Sequence, residues 1–546
     1  MSLHFADCWE LIADRIGSYP AIEQGDRTVT WAEYEDHAAR LAARFDRHGL
    51  GPGAHVGMFL YNCPEYLETQ FAAFKQGTTA INVNYRYLDD ELTYLIDNAD
   101  VRALVYHASL GDRVARIVNR VHDLRLLIEV DDLGDGTGPP VVPGAVRYAS
   151  ALAEEEPAPR RDRAADEQHL YMLYTGGTTG LPKGVIYRIG DFTRAWLQFA
   201  AQNIGRGPWA DEHELAAWVA EQASAGALSR SCPAAPLMHG TGIWLGAMLP
   251  HLTGGCSVLL QSRSLDTDEI IGVAQRGLTV LVIVGDAFAR PILRRLDELR
   301  AAGTPADISR LGVILSSGAM LSAEIKEGLF DHHPSLVILD ALGSSEGSMG
   351  SRTSVGKGSG TTAVFDFQPG TKVFGPDDCA VEAGSGQIGL VGATGTFLPV
   401  GYYKDPAKSA RTFRTIDGVP YSFPGDMATV GADGTIHLLG RGSNCINTGG
   451  EKVFPEEVEE AIKTHPAVDD CLVFGVDDER FGQAVTAIVS ATTTVTGADL
   501  IDHCKQRLAP YKAPKAVAVV SQVPRGPNGK ADYRRARELY EAADPA

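Results

Sequence analysis

No stretch of this chain approaches about 18 uninterrupted apolar residues, so no segment reads as a membrane-spanning helix. The first residues hold no basic stretch ahead of an apolar one, so no secretory leader is read there and a soluble, cytoplasmic protein is expected. The eight cysteines, Cys8, Cys63, Cys232, Cys256, Cys379, Cys445, Cys471 and Cys504, form no C-x-x-C pair, and no His cluster has zinc-like spacing. A disulfide framework and a structural zinc are thereby disfavoured, and reduced, mostly buried thiols are expected. Positive charge is short: 49 Lys and Arg stand against 69 Asp and Glu, a net charge of -20. Such a surface repels nucleic acid and anionic membranes. Any anionic ligand must therefore be met by local donors and a metal.

What is present is an ordinary globular composition, 44% hydrophobic and 22% charged over 546 residues, enough for several domains. Helix-period and strand-like segments alternate, which predicts an α/β architecture. The patterning predicts a helix over 38–48 and strands over 55–60, 279–284, 311–316 and 336–340, with a helix over 287–302. Two stretches read as loops: 132–159, rich in Gly, Pro and acidic residues, and 347–360, dominated by Gly, Ser and Thr. The second either lines a site or is a surface loop. After Arg441 the texture changes to a short charged helix (456–464), strands (471–476 and 484–490) and a helix (499–508), compact enough for a separate C-terminal domain.

The sharpest local feature runs from Tyr171 to Val185. Behind an apolar strand come Thr175, Gly176, Gly177, Thr178, Thr179 and Gly180, then Lys183. Glycines let backbone N–H groups approach an anion, threonine hydroxyls add donors, and the lysine adds charge, so the segment suits a polyphosphate. The spacing G-x-x-x-x-G-K-[ST] of P-loop NTPases is absent, because Lys183 follows Pro182 and precedes Gly184.

This segment closely resembles the phosphate loop of the adenylate-forming superfamily, which contains acyl-CoA synthetases, nonribosomal adenylation domains and luciferases. Further motifs follow in that family's order. Pro236 to Gly242 resembles the segment whose His, here His239, stands near the acyl carbonyl. The turn holding Gly318 and Ala319 resembles the one bordering adenine and the acyl tunnel. Leu342 to Gly347 resembles Tyr-Gly-x-Thr-Glu, which gives Ser345 a phosphate contact and Glu346 a catalytic role as the Mg2+ ligand. Phe423 to Met427 resembles the Gly-Asp motif in which Asp426 accepts from the ribose hydroxyls, and Arg441 matches the family's ribose- and phosphate-contacting arginine. Residues 440–458 resemble the hinge and first strand pair of the lid, with the hinge at Ser443. Gly449, Gly450 and Lys452 then border the pantetheine channel after rotation, unless they form a plain β-turn. Val523 to Lys530 resembles the loop with the catalytic lysine, Lys530. Three positions depart from the pattern: Gly176 loses a hydroxyl, Leu342 replaces the aromatic that stacks on adenine, and Ser443 stands where Asp or Lys is usual.

The resemblance implies a large N-terminal domain of stacked β-sheets and helices over 1–441 and a small mobile α+β C-terminal domain over 442–546. It implies ATP, Mg2+ and coenzyme A as cofactors. A carboxylate attacks the α-phosphorus of ATP with Lys530 and Mg2+ neutralising charge. The lid then rotates and a thiol takes the acyl group. Residues 82–87, 174–180, 280–287 and 445–458 resemble the branch of actinobacterial synthetases for steroid side-chain acids and long fatty acids, which favours a bulky apolar acid. The Trp-rich region 191–235 is read either as the cover of a roomy apolar pocket or as a solvent-side helix pair. Transfer to a carrier protein, a luciferase-like oxidation and a non-catalytic acyl- or nucleotide-binding protein remain alternatives. The oligomeric state, a homodimer included, stays open at this level.

Overall fold

A computed structural model describes residues 4–134, 140–163, 169–175, 181–362, 364–448, 451–478, 482–527 and 529–543. The fold is mixed α/β, with most strands ahead of Arg441 gathered in four sheets. A nine-stranded sheet has parallel strands Arg230–Pro233, Val280–Ile283, Val313–Ser317 and Val337–Ser344 at its centre. Continuous apolar runs such as Val280 to Ile283 suit strands covered on both faces. A second sheet is parallel throughout, in the order Thr79–Asn82, His55–Phe59, Val101–His107, Leu126–Val130 and Val146–Arg147. Two antiparallel sheets complete this part. One places Lys183–Arg188 between Leu170–Thr175 and Gly401–Tyr402; the other includes Gly389–Gly392, Asp426–Val430 and Ile436–Arg441.

The C-terminal part has its own antiparallel sheet, built on the long pair Val468–Asp478 and Gly482–Ala491, with Ala516–Val520 added in parallel. Helices Pro455–Lys463 and Gly497–Lys505 cover its core of Ile446, Val458, Ile462, Val473, Val485 and Leu500. The amphipathic period of Pro455–Lys463 places Val458, Ala461 and Ile462 inward, as expected for a helix docked on a sheet.

Apart from the helix expected over 38–48, which is Trp31–Arg47 and begins seven residues earlier, the predicted strands and helices fall within a few residues of those observed, with two corrections. Residues 347–360, read as a loop, hold the nine-residue strand Gly347–Val355, paired antiparallel with Val337–Ser344. Its Gly and Ser content is tolerated because partners on both sides supply backbone hydrogen bonds, overriding weak strand propensity. At Gly350 a side chain would stand 2.6 Å from the Asp366 carbonyl, so the composition that suggested a loop reflects close strand packing. The stretch 132–159, read as a linker, contributes the edge strand Val146–Arg147 and helix Tyr148–Ala153. In the Trp-rich region, helices Ile189–Asn203 and Glu212–Ser224 each bury one face, so they are not a purely solvent-side pair. Trp196 is buried among Phe192, Phe199, Trp244 and Phe397, while Trp209 packs on Trp218 and the Arg206 guanidinium.

Candidate active site

The site assembles where strand ends from several sheets converge. The stretch from Thr175 to Lys183 connects two antiparallel strands, with Thr175 opposite Lys183. This is a hairpin rather than the strand-to-helix turn of a P-loop. Gly176, Gly177, Thr178, Thr179 and Gly180 lie outside the described residues. Lys183 pairs with Asp405 at 2.6 Å, and Asp405 also caps the helix Pro406–Thr412.

Ser345 and Glu346 form the turn between Val337–Ser344 and Gly347–Val355. One Glu346 oxygen accepts from the Tyr402 hydroxyl at 2.9 Å and the other from Ser345 Oγ at 3.0 Å. The turn's carbonyls are tied down as well, Ser345 by the Tyr187 hydroxyl and Glu346 by Ser422 Oγ. Leu342 sits behind the turn against the apolar cluster of Met349, Val373, Val391 and Ala428.

Asp426 opens its strand directly opposite Arg441, whose Nε is 3.6 Å from Oδ1. Asp426 is 6% exposed, and its Oδ2 has no hydrogen-bond partner among the described residues. Burial raises its pKa, with Arg441 pulling the other way. A buried carboxylate oxygen without a donor is costly unless a ligand supplies one. A pair of ligand hydroxyls meets that need.

Lys530 reaches this group from the C-terminal part. A Cβ placed on Gly318 would lie 3.9 Å from Lys530 Cε and 3.5 Å from Thr241 Oγ1. Behind the lysine, Gly529 backs onto Val284, Ala287 and Phe288, the closest atoms 3.2 Å from where its side chain would start. Lys530 keeps solvent access in the cleft, yet enough protein surrounds it for burial to lower its pKa, helped by Arg441 and opposed by Glu346 and Asp426. His239, just ahead of the π-helix Thr241–Met248, is held at a pKa of about 3 by burial and then by Lys530, so its imidazole is neutral. The structure thus brings together His239, Gly318, Glu346, Asp426, Arg441 and Lys530, with Ala319 following Gly318 at the same turn.

Lys452 is not brought in: it is exposed on Glu451–Val453, which pairs with Ile446–Thr448. Gly449 and Gly450, between those strands, lie outside the described residues. Ser443 lies in the short 3-10 turn Gly442–Asn444.

Several contributors escaped sequence reading. Asn82 donates to the carbonyls of Tyr174 and Met238 and accepts from Tyr174 N–H, stapling the strand Leu170–Thr175 to the turn ahead of His239. Arg525 forms a two-pronged pair with Asp470 at 2.5 and 2.8 Å and donates to the Gly529 carbonyl, bracing the lysine loop. Lys408 stands 4.5 Å over the Tyr402 ring, and burial and Lys183 lower its pKa. Their partners are remote in sequence, so no local signal marks them; only the Arg-Gly-Pro lead-in to Lys530 hinted at Arg525.

A cleft of about 800 Å³ opens beside the site, with Tyr61, Arg86, Pro236 and Arg263 on one wall and Arg525 and Gly529 on the other. No helix among the described residues is long and apolar enough to cross a membrane.

These residues come from both the large N-terminal part and the C-terminal part of the chain. The AMP-binding enzyme model matches residues 10–376, and the AMP-binding enzyme C-terminal domain model matches 457–530, so the chain belongs to the AMP-binding enzyme family. It is 40% identical to a 3-oxocholest-4-en-26-oate–CoA ligase of Rhodococcus rhodochrous, over 98% of this chain and 96% of that one. It is 38% identical to a medium/long-chain-fatty-acid–CoA/3-oxocholest-4-en-26-oate–CoA ligase of Mycobacterium marinum, over 99% and 97%. Its fold matches the anthranilate CoA ligase AuaEII in complex with anthranoyl-AMP, with a TM-score of 0.82 at 21% identity over 99% and 98% of the two chains.

Proposed function

We propose that this protein is an ATP-dependent acyl-CoA ligase that forms an acyl-adenylate from a bulky apolar carboxylic acid and passes the acyl group to coenzyme A. The observation that carries this reading is the delivery of Lys530 to the turn at Gly318, beside neutral His239 and facing Glu346 and Asp426. An ammonium there neutralises the charge that builds when a carboxylate approaches the α-phosphate. A neutral His239 adds no competing charge. The donor-starved Asp426 oxygen and Arg441 suit ribose hydroxyls and phosphate.

Glu346 fits Mg2+. Among the described residues no group of three His, Cys, Asp or Glu could hold an ion, so a metal at Glu346 takes its other ligands from phosphates and water, as Mg2+ does. When bound, Mg2+ supplies positive charge to the phosphates. Glu346, oriented by Tyr402 and Ser345, holds the ligand oxygen in place.

The lid, residues 442–546, is in the adenylate-forming position, and thioester formation requires Lys530 to withdraw by rotation about Ser443. The neighbouring cleft, with exposed Arg86 at its rim, gives an anionic thiol carrier a route toward Pro236. The relatives' activities on steroid side-chain and fatty acids support a bulky apolar substrate.

The test is ATP–pyrophosphate exchange over short, long, aromatic and steroidal acids, followed by AMP release with and without coenzyme A. Exchange strongest with long or steroidal acids, together with CoA-dependent AMP release, is the expected result. Exchange confined to short acids overturns the substrate class, and AMP release indifferent to CoA overturns the acceptor.

A further inference from the structure

The helix Pro455–Lys463 is the first α-helix of the lid and carries four glutamates, two of which are satisfied within the lid. Glu457 pairs with Lys512 at 2.6 Å, and Glu459 accepts from Val473 N–H at 3.0 Å. Glu456 instead crosses to the large domain. Its Oε2 would lie 2.2 Å from a Cβ on Gly440, so the carboxyl group occupies the space that any side chain at 440 would need. Gly440 also has φ +132, a conformation few other residues adopt. Glycine at 440 is therefore the socket for Glu456.

Backbone amides of Glu456 and Arg441 offer hydrogen bonds to this carboxyl group, yet Oε2 is buried and has no partner among the described residues. Gly440 and Arg441 end the strand that faces Asp426, so the contact bears on the two residues assigned to ribose. We propose that Glu456 is a positioning residue for adenylate formation, a latch that holds the lid against the Gly440–Arg441 strand end and fixes Arg441 beside Asp426. The half-reaction assigned to the latch rests on the acyl-CoA ligase reading above.

The groups facing Glu456 are Glu459 on its own helix, Asp426 and Arg441 on the strand pair, Cys445 beyond the hinge turn with Lys452 beside it, and Tyr533 on the last helix. Arg441 offers Glu456 its backbone amide, while its guanidinium stands beside Asp426. Burial, then Glu459, raises Glu456 from 4.5 to about 7. When the lid turns away, the carboxyl returns to water and to its ordinary value. The latched arrangement therefore binds the proton more tightly. It loses ground to the rotated arrangement as pH rises from 4.5 to about 7, and loses no more above that. The latch thus favours adenylate formation in its neutral form and releases on ionisation.

The test compares pyrophosphate release in single turnovers with thioester formation from supplied acyl-AMP, between about pH 5.5 and about pH 7.5. In the natural protein the ratio of the two rates falls about tenfold, whereas in Glu456→Gln, which keeps shape and cannot ionise, it falls less than about twofold. Glu456→Lys lowers pyrophosphate release at every pH and spares thioester formation. An unchanged pH slope in Glu456→Gln, or equal loss of both half-reactions in Glu456→Lys, overturns the proposal. Limited proteolysis of the turn at 442–445, without substrate, reads the latch independently of activity: cleavage accelerates with pH in the natural protein and not in Glu456→Gln. If no acid supports pyrophosphate exchange, the ligase reading fails while the proteolysis still decides the latch, and pH-independent cleavage of the natural protein overturns it.

Discussion

The two halves of the site are held in different ways. On the large domain, Glu346 and its turn are fixed by Tyr402, Ser345, Tyr187 and Ser422, and Asp426 is locked into a strand pair. On the lid, Lys530 stands on a small loop closed by the Gly526 N–H to Lys530 carbonyl bond and braced by Arg525 on Asp470. The first half is held by bonds from several separate strands, and the second is braced within its own loop; under the proposed function the second would be delivered as a unit. That difference suits a reaction in which one charge must be present for the first step and absent for the second.

The sharpest way to break the comparison is Lys530→Ala. Adenylate formation falls by about 10²–10³-fold, the usual loss when one preorganised charge-stabilising donor is removed, while thioester formation from supplied acyl-AMP stays near normal. Equal loss in both half-reactions denies the division between the halves. Arg525→Ala leaves Lys530 in the chain but loosens its loop. Pyrophosphate release falls by up to about 100-fold, and an Arg525→Lys variant, which lacks the two-pronged fork, restores only part of it.

Tyr402→Phe probes the large-domain half. Losing one hydrogen bond to the Glu346 carboxylate lowers adenylate formation about tenfold, with a matching rise in the Mg2+ concentration needed for half-maximal rate. A drop that added Mg2+ cannot move argues that Tyr402 serves packing alone.

Asp426→Asn is the smallest effect and has opposite signs in two assays. The raised pKa of Asp426 means that the folded protein binds this proton more tightly than the unfolded chain does. Its ionised form is therefore a destabilising element that sets in as pH rises above 3.8 and is complete above the folded pKa. Near neutral pH the amide raises the melting temperature by about 1–2 °C in the absence of nucleotide, while weakening ATP binding. A lower melting temperature sinks the reading of an unsatisfied buried carboxylate.

Much of this was legible in local pattern. The Ser345–Glu346 pair and the turn ahead of Lys530 each carry backbone-permissive residues beside a charged one, a combination visible along the chain. The strand Gly347–Val355 was not, because its stability comes from partners on either side and its composition reports only how closely they approach. Asn82, Tyr402 and Arg525 were silent for the same reason: each acts on residues far away in sequence.

Taken alone, the sequence determined the alternating α/β plan, the family resemblance and the identity of the charged residues, since periodicity and spaced motifs are properties of neighbours along the chain. Tertiary structure alone decided that Lys530 meets Gly318 and His239, that burial holds His239 neutral and leaves Asp426 short of a donor, and that Glu456 fills the socket at Gly440. Proximity across domains and desolvation arise only when distant segments pack together, and those two effects set the charge states on which the chemistry depends.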